Sequence, residues 1–220
     1  MFTTLGTTPP LCTAPAIAWL LACSAGAPTA GAAELESIVV TLDEGRYKVV
    51  AEMLVNTPPA PTFAALVDYD RFHERSDAYA QSRYLAPALD GTPRVFTRIE
   101  GCVLYVCRGI ERNARLRAEP LERIVATVEI EPGGQLKYGE EIWELSPHDA
   151  GTGITYRHEI ELNFWLPPVI GPWAVRSALS WGASAAAQAI EDMARHDDFV
   201  PLADSPCCRQ RTAQETTAHP

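Results

Sequence analysis

The sequence predicts an α+β protein in which one antiparallel sheet is covered on one face by a long C-terminal helix. Three observations predict it. The chain between Ser37 and Phe164 reads as a series of short alternating strands joined by turns, which favours antiparallel pairing. Two short helices interrupt the series early. The only long helical pattern is Pro172 to Arg195, so only it can cover the sheet.

The strands come in order. Ser37 to Leu42 and Tyr47 to Val55 flank the turn Asp43-Glu44-Gly45 and form a hairpin. Asn56-Thr57-Pro58-Pro59-Ala60-Pro61 ends the second strand, because repeated proline cannot continue a ladder. A short helix from Pro61 to Asp68 and a turn or helix over Tyr69 to Glu74 follow, with His73 solvated. Ala78 to Leu85, Arg94 to Cys102, Val103 to Arg117 and Ile124 to Ile130 are strands. Glu131-Pro132-Gly133-Gly134 is a turn, and Leu136 to Leu145 and Ile154 to Phe164 form a late hairpin. Arg108, Arg112, Arg115 and Arg117 are expected on a solvated edge beside acidic neighbours.

On the long helix, Ser177, Ser180, Ser184, Gln188, Glu191 and Arg195 form the expected wet stripe. Val175, Leu179, Gly182, Ala186, Ile190 and Met193 form the opposite one, bulky at its ends and small in the middle. The small waist has two readings: close helix–sheet packing, or space for an apolar ligand.

The order of elements resembles the helix-grip fold of the START/SRPBCC superfamily, in which a curved antiparallel sheet wraps a long C-terminal helix. The stretch VVAEMLVNTPPAPTFAALVDYDRFHERSD is similar to the entry motif of its coenzyme Q-binding START-like and polyketide cyclase/dehydrase branch. EEIWELSP followed by GTGITYRHEIEL resembles the late hairpin of that branch. The resemblance implies a deep apolar cavity between helix and sheet. The motifs mark fold better than function.

An apolar cavity needs a few polar groups to orient its ligand. Apolar matching in the late hairpin pairs Leu145 with Ile154, Trp143 with Tyr156 and Glu141 with His158; a one-residue slip would break all three. The expected cavity residues are Trp143, Tyr156, His158, Glu141, Val175, Leu179, Gly182 and Ala186. Glu141 and His158 side by side have three readings: a satisfied internal pair, a polar ligand contact, or a general acid–base pair. The apolar connector supplies a candidate gate from Phe164, Trp165, Leu166, Ile170 and Trp173, or a plug over the end of the sheet. No cofactor is expected. No Cys or His spacing suits a metal, and no nucleophile motif or nucleotide fingerprint occurs.

The net charge of −10 excludes nucleic acid as a partner and disfavours anionic lipid surfaces. The first 33 residues carry no charged side chain, and Ala14 to Ala27 is too short to span a bilayer. This reads as a signal peptide, residues 1–33, cut near Ala32 or Ala33. The alternative is a lipoprotein box ending at Cys23, which would leave a lipid anchor there. Either processing places the protein outside the cytoplasm, in the periplasm or beyond. The domain then spans 34–198, followed by a polar, disordered tail over 199–220. In an oxidising compartment Cys102 and Cys107 are candidates for a disulfide, which requires a turn or bulge near Val103–Val106.

The expected function is binding, with carriage or buffering, of a hydrophobic small molecule such as a lipid, quinone, isoprenoid or polyketide, with transient membrane contact through the connector. One alternative is a cyclase- or hydratase-type enzyme using Glu141 and His158. Another is a ligand-free interaction module with a filled core. A pocket under ~300 Å³ beneath the helix favours the module, because typical ligand pockets start near that size.

Overall fold

A computed structural model describes residues 33–76, 79–103, 106–165, 170–196, 202 and 204–208. Eight strands form one antiparallel sheet in the order β1-β2-β8-β7-β6-β5-β4-β3. The strands are β1 (Glu34–Asp43), β2 (Arg46–Val55), β3 (Tyr79–Leu85), β4 (Arg94–Val103), β5 (Val106–Glu119), β6 (Arg123–Val128), β7 (Leu136–His148) and β8 (Gly151–Leu162). The helices are α1 (Pro59–Leu66), α2 (Phe72–Arg75) and α3 (Ile170–Arg195). Because β2 pairs with β8, the first hairpin joins the last strand and the six later strands form a meander.

Alternation sets the inner face. Along β2, Tyr47, Val49, Ala51, Met53 and Val55 are all buried, while the residues between them are not. Residues two apart share a side of a strand. The core joins Ala51, Met53 and Val55 to Phe63, Leu66 and Phe72 of the short helices and to Ala183, Ala187 and Ile190 of α3. The expected register of the late hairpin is present: Leu145 faces Ile154, Trp143 faces Tyr156 and Glu141 faces His158.

The link between β2 and α1 is tied by hydroxyls. Thr57 and Thr62 meet through their Oγ1 atoms at 2.8 Å, and Thr152 Oγ1 donates to the Thr57 carbonyl at 2.7 Å. Gly151, at φ +146°, lies so close that a Cβ there would sit 2.2 Å from the Val55 carbonyl oxygen.

Four expectations are corrected. The buried side of α3 is rotated from the expected stripe: Ala183, Ala187, Ile190, Glu191 and Ala194 are buried. Glu191, placed in the wet stripe by its charge, is 2% exposed; its Oε2 accepts from the Asn56 backbone N–H at 3.0 Å and it pairs with Arg195. Arg112 is not on a solvated edge, because it shares the inward side of β5 with buried Ala114 and Leu116. The tail is not wholly without structure: Leu202, Cys207 and Cys208 pack against the core and Ser205 is buried.

The break between β4 and β5 falls after Val103, and the register sets Cys102 directly opposite Cys107. The side chains that would form the disulfide lie outside the described residues. So do the leader, Cys23 and Leu166.

Candidate functional site

A cavity of about 140 Å³ lies between α3 and the concave side of the sheet. Its wall comes from the short helices, from several strands of the sheet and from α3. Leu66 and Phe72 come from the short helices, Trp143, Tyr156 and His158 from the late hairpin, and Leu179, Gly182, Ala183, Ala186 and Ile190 from α3. The space exists because α3 is small where it crosses the sheet. A Cβ built on Gly182 would meet nothing within 4 Å, so the waist is not a close helix–sheet contact.

One polar group of charges sits in this wall. Arg112 and Glu141 are both buried and form an ion pair at 2.5 Å. Arg112 Nε donates to Thr97 Oγ1 at 2.8 Å, and the Tyr156 hydroxyl donates to Glu141 Oε1 at 3.2 Å. Burial opposes both charges. Their mutual attraction outweighs it, holding the guanidinium charged and the carboxyl below its usual range. Burial also raises the Tyr156 phenol well above its ordinary value, so it stays neutral.

His158 is different. It is 7% exposed, lines the cavity, and its Nε2 is buried without a hydrogen-bond partner. Burial pushes its pKa down to about 4; Glu141 pulls the other way and Arg112 adds to the fall. The ring is therefore neutral at pH 7. Tyr156 lies between its neighbours on the wall, with ring centroids 4.2 Å from Trp143 and 6.0 Å from His158.

Of the expected cavity residues, Trp143, Tyr156, His158, Glu141, Leu179, Gly182 and Ala186 do line it. Val175 does not. The first turns of α3 lie beyond the cavity, and Val175 packs instead against a second cluster of Tyr47, Val128, Leu136 and Ile160. Of the expected gate, Phe164, Trp165 and Trp173 are not brought to the cavity, and the Ile170 side chain lies outside the described residues. Phe164 is half-buried, and Trp165 and Trp173 face solvent. Glu141 and His158 are cross-strand neighbours as expected, but Glu141 is engaged by Arg112 and Tyr156. Sequence reasoning missed Arg112, its partner Thr97, and Tyr79, which also lines the cavity. The signal for Arg112 was its place in the alternation Arg112, Ala114, Leu116. No group of three or more metal-ligating side chains occurs among the described residues.

At about 140 Å³ the cavity is smaller than the ~300 Å³ at which typical ligand pockets begin, so size alone favours a filled module.

No family model matches the sequence, and no curated protein matches it. Solved structures do. The Zhui aromatase/cyclase from Streptomyces sp. R1128 superposes with a TM-score of 0.55 at 14% identity, over 70% of this chain and 99% of that one. A STAR-related lipid transfer protein fragment from Xanthomonas axonopodis gives 0.51 at 14% identity, over 72% and 99%. The di-domain aromatase/cyclase BexL from the BE-7585A biosynthetic pathway gives 0.54 at 16% identity over 70% of this chain, which spans only 52% of BexL. Together with the sheet order and the roofing helix, these show that the chain has a helix-grip fold. At such identities the likeness is one of fold.

Proposed function

We propose that the protein binds a hydrophobic small molecule between α3 and the sheet, and carries or buffers it outside the cytoplasm. The observation that carries this reading is the His158 Nε2, buried and unpartnered at the wall of an apolar cavity. A filled interaction module has no use for such an atom, because an unsatisfied buried polar group costs about 1–3 kcal/mol. The empty space at Gly182 supports the same reading. One of the similar structures, a lipid transfer protein, is named for an apolar ligand, which agrees with this reading.

A lipid, quinone or isoprenoid chain exceeds 140 Å³, so carriage of one requires α3 to move off the sheet. The exposed Trp165, Trp173 and Trp181 offer an aromatic surface suited to transient contact with the membrane interface. Secretion rests on the uncharged leader alone, and N-terminal sequencing of the mature protein tests it. A cyclase- or hydratase-type reaction is poorly served. Glu141 is held ionised by Arg112, and a histidine pushed to about 4 is a weak base at pH 7.

Native mass spectrometry of the purified full chain, followed by organic extraction, tests the reading. A bound apolar molecule is the expected result. An apo protein that takes up no apolar probe would overturn it.

A further inference from the structure

The ligand itself can be narrowed, on the reading just given. We propose that the cavity takes a neutral, single-ring molecule of the phenol class, with its hydroxyl oxygen hydrogen-bonded to His158 Nε2.

Size argues first. The cavity holds about 140 Å³. An apolar protein cavity of roughly 150 Å³ accommodates benzene. One ring fills this one, and a ring is well received by Phe72, Trp143 and Tyr156 along the wall.

Charge argues second. Arg112 and Glu141 neutralise each other, and Thr97 and Tyr156 take up further bonding capacity of the pair. A carboxylate or ammonium ligand would add a third, uncompensated charge to a buried site. The ligand is therefore neutral.

Hydrogen bonding argues third. His158 Nε2 is the one buried side-chain atom of the cavity wall left without a partner among the described residues. In a neutral imidazole that nitrogen either donates or accepts, depending on the tautomer. A carbonyl answers only one tautomer. A hydroxyl donates and accepts, so it answers both.

The test is a calorimetric titration of the full chain with four probes: phenol, toluene, benzoate and palmitate. Toluene keeps the shape of phenol and removes the hydroxyl. Phenol is expected to bind about tenfold more tightly than toluene, the value of one net hydrogen bond, with benzoate weaker than either. His158→Phe should remove the preference for phenol while toluene still binds. Should that variant fail to fold, the 15N shift of His158 Nε2 in the unaltered protein gives the same answer, moving with phenol and not with toluene. Equal affinity for phenol and toluene would overturn the proposal, as would benzoate binding as tightly as phenol. Palmitate bound in preference to phenol would overturn the ring-sized ligand and leave apolar binding standing. Binding of none of the four would overturn both.

Discussion

His158 concentrates the chemistry of the site in one side chain. Its pKa falls from 6.5 to about 4 on folding because burial disfavours the charged ring. Between those values the unfolded chain binds a proton that the folded chain refuses. Stability therefore falls as pH drops from about 6.5 toward 4, by roughly 3 kcal/mol at the lower end. Urea titrations across this window should show the slope, and His158→Phe should flatten it. Glu141 plays another part. It is the counter-charge of a buried arginine, so Glu141→Ala strands Arg112. The expected loss is about 3–5 kcal/mol by chemical denaturation. Arg112→Met combined with Glu141→Leu should recover most of it, since apolar replacement of a whole buried pair is often neutral. The pairing of Glu141 with His158 was legible from hairpin alternation. The arginine was not, because its partner lies 29 positions away on a strand two removed in the sheet. A charged residue in an inward register looks like an outward one until that partner is seen.

At the scale of elements, strands were easier to read than the helix. Each strand shows its inner face by a period of two, and turns with glycine or proline fix the ends. Between Gly182 and Ala189 helix α3 has no bulky apolar residue, so small and polar side chains had to decide its orientation. Glu191 misled that choice. Its charge suggested solvent, but its carboxylate accepts the Asn56 backbone N–H where β2 ends. Glu191→Ala should cost about 1–3 kcal/mol through loss of that bond, read by thermal unfolding, while Gln188→Ala on the exposed side should cost far less. Gly151 is a second fixed point. Any side chain there meets the Val55 carbonyl oxygen and adopts an unfavourable φ. Gly151→Ala is expected to destabilise the link between β2 and α1, seen as faster amide exchange at Val55 to Thr57.

The whole molecule is a sheet and a helix that meet closely at some points and leave a gap at another. Tight packing would make Gly182 a contact, and an open space makes it the floor of a site. The fold predicted from element order is present, but the gap is smaller than the sequence led one to expect. Its volume depends on how Phe72, Trp143, Leu179 and Ile190 converge from three separate elements, and no local pattern encodes that. The most direct test of the central claim is Gly182→Leu, followed by thermal unfolding and by uptake of an apolar probe. If the space beneath α3 is ligand space, stability should stay within about 1 kcal/mol, helped by the better helix propensity of leucine, and binding should be lost. A destabilisation of about 1–3 kcal/mol, the usual cost of overpacking, with probe binding unchanged would contradict it.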